Sequence, residues 1–458
     1  MIKLYPQQVD PVNRVRASFK TNKSVLLQAP TGFGKSVVAS YILRSAIEKR
    51  STVWFVVPRI ELMHQMSAVF RSFGIKHTYI AQKFRYYEGY PAAICTLETL
   101  KRRMKDLPLP TLAVLDETHW GGASIDAVVK YLRSKGVYIL GLSATPARTD
   151  NMGMADWYDD MVCGPSVRSL INDGLLSDYR LFQPDVHKDR HNVGDPATLW
   201  REHAEGLRTV AFCSSIAHAI ERRDYFNAHG IKAEYIEGRM DHEQRSDIIK
   251  RFADGEIKIL TNNMLLTFGF DLALASGRPD VNVEALIDMA KCNSLAMQMQ
   301  KWGRGLRKKD KPCPILDCAG NSRPEAHGFP CAERDWVLEH GDMHKRDVEQ
   351  REATIRTILC KGVGACYRVA RIGPVNCPHC GRPYEFDGKI IRQVEGQLVE
   401  VTPDMIQAEK KDKRMEVGMA RTLDDLIHIA QERGYKRAWV YKMAAIKGIK
   451  DDTRSNFA

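Results

Sequence analysis

The sequence predicts an α/β fold with parallel sheets, followed by a smaller C-terminal extension. Two observations predict this class. Short apolar runs typical of strands buried on both faces, such as residues 52–57, alternate with longer helical segments. One such run, at residues 24–28, leads through a glycine-rich loop directly into an apolar helix. Because parallel strands need crossover connections, this alternation favours a sheet covered by helices on both faces. The length of 458 residues allows about three domains of ~150 residues each.

The composition excludes several classes of protein. The N-terminus has no apolar signal-peptide core, and the chain has no run of about 18 apolar residues, so we expect a cytoplasmic protein without a membrane partner. The formal net charge of +12 favours a polyanionic partner, with nucleic acid as the leading candidate. Four of the eleven cysteines gather between residues 360 and 380, which favours reduced thiols and one metal site over a disulfide framework.

The glycine-rich loop at residues 29–36, APTGFGKS, has the chemistry of a polyphosphate site. Its two glycines allow a tight turn, so that backbone N–H groups and the following helix N-terminus face the phosphates. Lys35 adds a positive charge, and the Ser36 hydroxyl can bind Mg²⁺. ATP or GTP is the implied ligand, although Ala29 stands where the strict pattern for such loops has glycine. The predicted nucleotide-binding residues of the loop are Thr31, Gly32, Gly34, Lys35 and Ser36.

An acidic pair is the predicted partner of this loop. The apolar run at residues 111–115 ends in Asp116 and Glu117, within the sequence DETH. Asp116, at the carboxyl end of its strand, can hold Mg²⁺, and Glu117 can orient and deprotonate the attacking water. Without the upstream loop, the same residues would be interpreted as a strand followed by an exposed acidic turn.

Two further segments favour the same site. Gln8 precedes the loop, and its amide could pair with both a donor and an acceptor on an adenine edge; an ordinary helix entry explains it equally well. The apolar run at residues 138–142 ends near Ser143 and Thr145, whose hydroxyls could touch both acids and a moving neighbour, which makes them candidate coupling residues.

In order, the segments APTGFGKS, VVPRIEL, TLETL, DETH and SATP resemble the superfamily 2 helicases and translocases, and most closely the type III restriction (Res subunit) and phage-type helicases. The resemblance accounts for Ala29, because A-x-T-G-x-G-K-[ST] is common in that family. It implies two tandem RecA-like domains with ATP and Mg²⁺ between them. It also implies that Gln8 reads adenine and that Arg59 and Thr96 contact the nucleic-acid backbone.

The second half of the chain supplies the other wall of the cleft. By the resemblance, Ser214 and Thr261, each at the end of a predicted strand, hydrogen-bond phosphates of the nucleic acid. Residues 300–307, QKWGRGLR, fit the family's last ATPase motif, whose guanidinium groups stabilise transition-state charge on the γ-phosphate. Alone, such a run would more often be solvated surface or a plain phosphate contact. The catalytic residues implied by this motif are Gln300, Arg304 and Arg307.

The sequence TFGFD at residues 267–271 departs from the family pattern. Similar helicases usually have an acid where this chain has Phe268. Gly269 and Asp271, which by resemblance meet the ribose and couple hydrolysis to movement, are both present. The departure therefore concerns the efficiency of coupling more than the binding of ATP.

The C-terminal extension contains a candidate structural Zn²⁺ site. Cys377 and Cys380 form a Cys-x-x-Cys knuckle, and Cys360 and Cys366 are the predicted second half, although their spacing is wide and a histidine could replace one of them. A set of unligated buried cysteines is the alternative. Nearer the C-terminus, the mixed cations and aromatics of residues 435–439 could bind nucleic acid, or belong to a small helical pair that packs its tryptophan inward.

We therefore expect a RecA-like domain 1 at residues 1–180, a linker at 181–206, a RecA-like domain 2 at 207–322, an extension with a zinc ribbon at 323–395, and a basic helical tail at 396–458. The predicted function is an ATP-dependent helicase or translocase that moves along nucleic acid. The resemblance implies DNA rather than RNA, 3′ to 5′ polarity, and a replication or recombination role with protein partners in a bacterial or phage-infected cell.

Two other functions stay open on the sequence. One is a translocase of double-stranded or branched DNA that never separates strands, either a remodeller or the motor subunit of a restriction complex. The other is a nucleic-acid-binding protein whose ATPase is uncoupled, which Phe268 motivates.

Overall fold

The fold is described from a computed structural model. The ranges it describes are residues 4–120, 122–146, 148, 153–184, 191–238, 240–263, 265–267, 272–278, 281–323, 326–334, 336–338, 357–359, 369–371, 392–394, 396–402, 405, 415, 417–433 and 437–449.

The first domain is a seven-stranded sheet in which every neighbouring pair of strands is parallel, in the order β3-β4-β2-β5-β6-β1-β7. Its central strands are buried along their whole length, as their continuous apolar sequences predict. Its elements are α1 (Pro6–Ser18), β1 (Ser24–Gln28), α2 (Lys35–Glu48), β2 (Val53–Val57), α3 (Ile60–Ser72), β3 (His77–Ile80), β4 (Ala92–Thr96), α4 (Leu97–Arg103), β5 (Leu112–Leu115), α5 (Gly122–Ser134), β6 (Tyr138–Ser143), β7 (Asp160–Cys163) and α6 (Val167–Asn172).

The second domain repeats this plan with the strand order β11-β12-β10-β13-β14-β8-β18, in which β18 is Leu398–Val401 from the C-terminal part of the chain. All pairs are parallel except the last, because β18 runs antiparallel to β8. Its elements are β8 (Tyr179–Pro184), β9 (His191–Val193), α7 (Pro196–Ala204), β10 (Thr209–Phe212), α8 (Ile216–Ala228), β11 (Ala233–Ile236), α9 (His242–Ala253), β12 (Ile259–Asn262), α10 (Leu272–Ser276), β13 (Ala285–Asp288), α11 (Leu295–Gly305) and β14 (Cys313–Leu316).

The segment expected as a linker at residues 181–206 is instead part of the second domain. Strand β8 pairs with β14, and α7 buries Leu199 and Trp200 in the core of this domain. Asp195 caps the N-terminus of α7, because its carboxylate accepts a hydrogen bond from the Thr198 N–H. The linker prediction was wrong because β8 and α7 are short and contain few apolar residues, and the residues between them are polar, so the sequence has no clear periodic pattern there.

The C-terminal part contributes one strand to the second sheet, which the prediction of a basic helical tail at residues 396–458 did not include. Strand β18 pairs with β8 in the register Leu398 to Pro184, and the Arg180 guanidinium donates two hydrogen bonds of 2.7 Å to Glu400. The remaining elements are β15 (Thr357–Leu359), which pairs with β16 (Val369–Arg371), then β17 (Arg392–Val394), β18 (Leu398–Val401), α12 (Leu423–Arg433) and α13 (Arg437–Lys447).

Helices α12 and α13 form a helical pair, which is one of the two alternatives that the sequence left open for this part of the chain. The Thr422 hydroxyl accepts from the Asp425 N–H, and the Asp425 carboxylate accepts from the Thr422 N–H, which together form a reciprocal cap of α12. Leu426 and Ile429 of α12 pack with Val440 of α13 in a separate small core. The side chain of Trp439 lies outside the described residues.

The predicted zinc site does not fall within the described residues. The predicted zinc ligands Cys360, Cys366, Cys377 and Cys380 lie outside the described residues, and within the described ranges no three His, Cys, Asp or Glu side chains are grouped as metal ligands would be. In the same ranges, no helix has the length and apolar character needed to cross a bilayer.

The pairing of β18 predicts that residues 396–402 stabilise the second domain although they lie far along the chain. A chain ending at residue 395 loses the burial of Leu398, which is 9% exposed, and should unfold with about 2 kcal/mol less free energy. Differential scanning fluorimetry should show a melting temperature several degrees lower, by about 2–4 °C per kcal/mol.

A chain ending at residue 402 is the matched control, because it keeps β18 and lacks α12 and α13. Its second domain should melt at the temperature of the full chain. Equal melting temperatures for all three chains would show that β18 contributes nothing to stability.

Candidate active site

The phosphate loop between β1 and α2 has the geometry that its glycines predict. Gly32 and Gly34 have φ values of +91° and +85°, in the left-handed region that favours glycine. A Cβ atom at Gly34 would lie 2.7 Å from the Gln8 amide nitrogen, so a side chain there would displace Gln8. The Gln8 amide donates to the Phe33 carbonyl at 2.8 Å and accepts from the Tyr5 N–H at 3.0 Å. In this arrangement Gln8 supports the loop, and its reading of adenine stays a prediction.

Lys35 lies at the start of α2 with its ammonium group held inside the loop. The ammonium donates to the Ala29 carbonyl at 2.9 Å and the Pro30 carbonyl at 3.3 Å. Burial lowers the pKa of Lys35, and the charge of Arg304 lowers it further, against the opposing effect of two nearby carboxylates. A buried cation next to a second cation favours an anionic ligand at this position.

The two acids of DETH follow β5, as predicted. Asp116 accepts a hydrogen bond of 3.0 Å from the Glu117 N–H, and Glu117 has the left-handed φ of +50°, which is strained for this residue type. Burial and the adjacent Glu117 raise the pKa of Asp116 to about 7. A divalent cation would stabilise the ionised form of this buried carboxyl, which fits the predicted role of Asp116 in binding Mg²⁺.

Glu117 takes part in a contact between the two domains. The Gln300 amide, from α11 of the second domain, donates to both Glu117 carboxylate oxygens at 3.1 and 3.3 Å. Burial would raise the pKa of Glu117, but the nearby His119 ring, the charges of Lys35 and Arg304 and the Gln300 hydrogen bond keep it below its usual range. Glu117 is therefore an ionised carboxylate in a buried cleft, which is the form that a general base requires.

His119 is a site residue that the sequence analysis did not select, although it is the fourth residue of DETH. Its Nδ1 atom lies 3.3 Å from a Glu117 oxygen and 3.1 Å from the Ser143 hydroxyl. Burial lowers the pKa of His119, so its neutral ring can donate the Nδ1 proton to Glu117. The Ser143 hydroxyl accepts from the Thr145 N–H at 3.1 Å. The predicted coupling residues Ser143 and Thr145 thus connect to Glu117 through His119.

Helix α11 brings the last motif of the second domain against the phosphate loop. Ser294 caps the N-terminus of this helix, because its hydroxyl accepts from the Met297 N–H. A Cβ atom at Gly303 would lie 2.5 Å from the Thr31 Cβ, so only glycine permits this approach. Arg304 is buried, and its charge acts on both Lys35 and Glu117. Arg304 and Arg307 line a small pocket with Val210, Leu266, Leu272, Asn282 and Val283.

Three of the four predicted nucleic-acid contacts follow the carboxyl ends of parallel strands. Arg59 is exposed after β2, with its guanidinium 5.5 Å from the Trp120 ring centroid. Thr96 ends β4 and is half-buried, and its hydroxyl donates to the Thr99 hydroxyl at 3.0 Å. Ser214 is exposed after β10, with its hydroxyl 3.1 Å from the His218 Nδ1 atom. These positions suit contacts to a phosphate backbone.

The fourth predicted contact, Thr261, is not at the surface. Its side chain is fully buried in β12, and its hydroxyl donates to the Ala219 carbonyl at 2.7 Å. The side chain therefore joins α8 to the sheet, and it cannot reach a nucleic-acid strand in this arrangement. Gly269 and Asp271 lie outside the described residues, so their predicted roles at the ribose and in coupling stay predictions.

The residues present fit a nucleoside triphosphate with Mg²⁺. The loop offers a turn that a Cβ atom would block, and the buried Thr31 hydroxyl beside it has no hydrogen-bond partner within the described part of the chain. Ser36 lies in the first turn of α2 and Asp116 follows β5, and both side chains offer oxygen donors of the kind that Mg²⁺ prefers. Lys35 and Arg304 provide positive charge for the phosphates.

Two protein families match successive parts of the chain. Residues 1–148 match the family described as "Type III restriction enzyme, res subunit", and residues 196–309 match the "Helicase conserved C-terminal domain". The second match includes α7, in agreement with its position in the second domain. Both matches lie in the order that the sequence motifs predict.

Individual proteins are similar over longer stretches. A "51.5 kDa protein" of a Lactococcus phage (isolate 7-9) is 26% identical over 463 residues, which cover 92% of this chain and 96% of the phage protein. The "Putative ATP-dependent helicase IRC3" of Saccharomyces cerevisiae is 24% identical over 356 residues, which cover 68% of this chain and 50% of the yeast protein. The chain thus spans about half the length of the yeast relative.

A solved structure supports the fold. The "ATP-dependent Type ISP restriction-modification enzyme LlaBIII bound to DNA" is similar with a TM-score of 0.52 at 15% identity, over 71% of this chain and 28% of that enzyme. The prediction of two tandem RecA-like domains is confirmed. From the motif order, the paired domains and the two family matches, the chain belongs to superfamily 2 of the helicases, which are ATP hydrolases that act on nucleic acid.

Proposed function

We propose that this protein is an ATP-dependent motor that moves along nucleic acid, and that it unwinds DNA as it moves. The hydrogen bond between Gln300 and Glu117 carries the proposal, because it makes the catalytic carboxylate depend on the relative position of two domains. A motor needs this dependence, since hydrolysis must be linked to domain movement.

Binding of ATP is assigned mainly to the first domain. The loop N–H groups and Lys35 hold the β- and γ-phosphates, and Gln8 is the proposed contact to adenine. Ser36 and Asp116 are the proposed protein oxygens for Mg²⁺, which when bound neutralises charge on the β- and γ-phosphate oxygens. Because the Lys35 ammonium is bound to two loop carbonyls, it exchanges those contacts for phosphate oxygens.

Hydrolysis requires both domains. Glu117 orients the attacking water and accepts its proton, while Gln300 and His119 hold the carboxylate in place. Arg304 and Arg307 stabilise the charge on the γ-phosphate in the transition state, as arginine fingers supplied within one chain. Loss of the γ-phosphate removes the anion between Lys35 and Arg304, so the domains lose this attraction and can separate.

Movement follows if the two domains hold the nucleic acid in alternation. Arg59 and Thr96 are the proposed backbone contacts of the first domain, and Ser214 is that of the second. These side chains contact phosphates without reading sequence, which suits a motor that travels along any sequence.

A translocase that does not separate strands is the second candidate. The match of residues 1–148 to the res subunit of type III restriction enzymes favours it. As the motor subunit of a restriction complex, the chain would hydrolyse ATP on duplex DNA and leave a labelled duplex paired. The uncoupled ATPase suggested by Phe268 would turn over ATP equally with and without nucleic acid.

ATP turnover with no nucleic acid, single-stranded DNA, duplex DNA and RNA separates these functions. We expect single-stranded DNA to raise turnover at least tenfold, and a fluorescent strand-displacement assay to show unwinding of a tailed duplex. Stimulation by duplex DNA without strand displacement would favour the second candidate. Equal turnover in all four conditions would contradict a motor of either kind.

Substitution of the base tests the assignment of Glu117. The Glu117→Gln variant should bind a fluorescent ATP analogue as the wild type does, because Lys35 and the loop are unchanged. Its turnover should fall by about 10²–10⁴-fold, because the amide cannot accept the proton from water. The Glu98→Gln variant is the matched control, since Glu98 is exposed on α4 and should leave turnover unchanged. Turnover of Glu117→Gln within threefold of wild type would remove Glu117 from this role.

The close approach of α11 to the loop gives a further test. In Gly303→Ala the new methyl group would lie 2.5 Å from Thr31 and force the two domains apart at the catalytic contact. We expect turnover to fall by about 10²-fold, since misplacement of ~1 Å has effects of that size, with little change in melting temperature. The control is Gly238→Ala, whose Cβ would lie 3.7 Å from Leu265, an ordinary contact. Equal turnover of the two variants would contradict the described domain contact.

A further inference from the structure

A buried carboxylate in the second domain, next to α11, accepts hydrogen bonds from three side chains. Asp288 ends β13 and is almost fully buried. One of its oxygens accepts from the Lys301 ammonium at 2.9 Å. The other accepts from the Gln298 amide at 2.7 Å and from the Asn321 amide at 2.9 Å. The Lys301 ammonium also lies 5.4 Å from the Phe212 ring centroid.

The same network holds the chain that enters α11. The Asn321 amide also donates to the Ala290 carbonyl at 2.8 Å, and its oxygen accepts from the Cys292 N–H at 2.9 Å. The loop before α11 and the middle of α11 are therefore both connected to the end of β13. This arrangement leaves α11 little freedom to rotate or slide relative to the sheet.

The helix presents different faces to the two domains. Gln298 and Lys301 are three residues apart and lie on one face, toward Asp288. Gln300 and Arg304 are four residues apart and lie on another face, toward Glu117 and Lys35. Because one residue corresponds to about 100° of rotation, a small turn of the helix would move Gln300 and Arg304 away from their targets.

We propose that Asp288 is a positioning residue for ATP hydrolysis: through Lys301 and Gln298 it sets the rotation of α11, and so places Gln300 against Glu117 and Arg304 against the γ-phosphate. The inference rests on the proposed roles of Gln300 and Arg304. Stability alone does not explain the pair, because replacing a buried ion pair by neutral side chains of similar size is often neutral or stabilising. Positioning of a helix is a use for which a fixed, directional contact is needed.

The test uses the full chain with the double substitution Asp288→Asn and Lys301→Met. Removing both charges avoids leaving one of them buried and unpaired, so the melting temperature should stay within a few degrees of wild type. We expect kcat for ATP to fall at least tenfold, while KM and the affinity for a fluorescent ATP analogue change less than threefold, because the phosphate loop belongs to the other domain. A folded double variant with kcat within twofold of wild type would overturn the proposal.

The single substitution Gln298→Met is a milder variant should the double variant not fold. It removes one donor and leaves the ion pair, and kcat should fall about threefold or more at unchanged KM; unchanged kcat counts against the proposal. The control is the double substitution Arg180→Met and Glu400→Gln, which removes an ion pair of 2.7 Å between β8 and β18, at the edge of the second sheet. Its kcat should equal that of wild type.

Hydrogen–deuterium exchange distinguishes this proposal from the proposed function. In the Asp288→Asn and Lys301→Met variant, amides of residues 295–305 should exchange faster than in wild type, with α2 unchanged. This readout needs no turnover, so it tests the positioning of α11 even if nucleic acid fails to stimulate the wild-type enzyme. Unchanged exchange in α11 would overturn the inference and leave the proposed motor function intact.

Discussion

The hydrogen bond from Gln300 to Glu117 is the contact on which the active site depends. It joins a helix of the second domain to the end of β5 in the first, and it is made inside a buried cleft. A carboxylate there must be both ionised and oriented to act on water. Nearby cations keep Glu117 ionised, and the Gln300 amide fixes its direction. In the proposed mechanism, catalysis thus requires the two domains in one relative position.

The charges of the cleft are balanced in pairs. Lys35 and Arg304 are opposed by Asp116 and Glu117, all largely buried, and Lys35 shifts the pKa of both carboxyl groups. An added triphosphate brings further negative charge between the two cations. Its removal takes away the attraction between each cation and the triphosphate, which is strong in a site of low polarity. The nucleotide therefore determines how strongly the proposed cleft is held closed.

The sequence predicts a site residue most directly where its chemistry depends on neighbouring residues along the chain. The loop glycines, Lys35, Asp116 and Glu117 lie at the ends of continuous apolar strands, and their chemistry is visible in a few consecutive residues. What could not be predicted depends on partners distant in sequence. Thr261 is buried because α8 places the Ala219 carbonyl against it, and β18 forms a strand because β8 offers a free edge. The Asp288 network likewise joins residues 288, 298, 301 and 321, of which only Lys301 lies within a motif.

A double-mutant cycle in ATP turnover measures the central contact most directly. If Gln300 acts by orienting Glu117, Gln300→Ala should lower single-turnover hydrolysis by about tenfold or more in the wild-type background. In the Glu117→Gln background the same substitution should change the rate by no more than about twofold, because residues that act as a unit are non-additive. Equal losses in both backgrounds would contradict the account, since Gln300 would then act independently of Glu117.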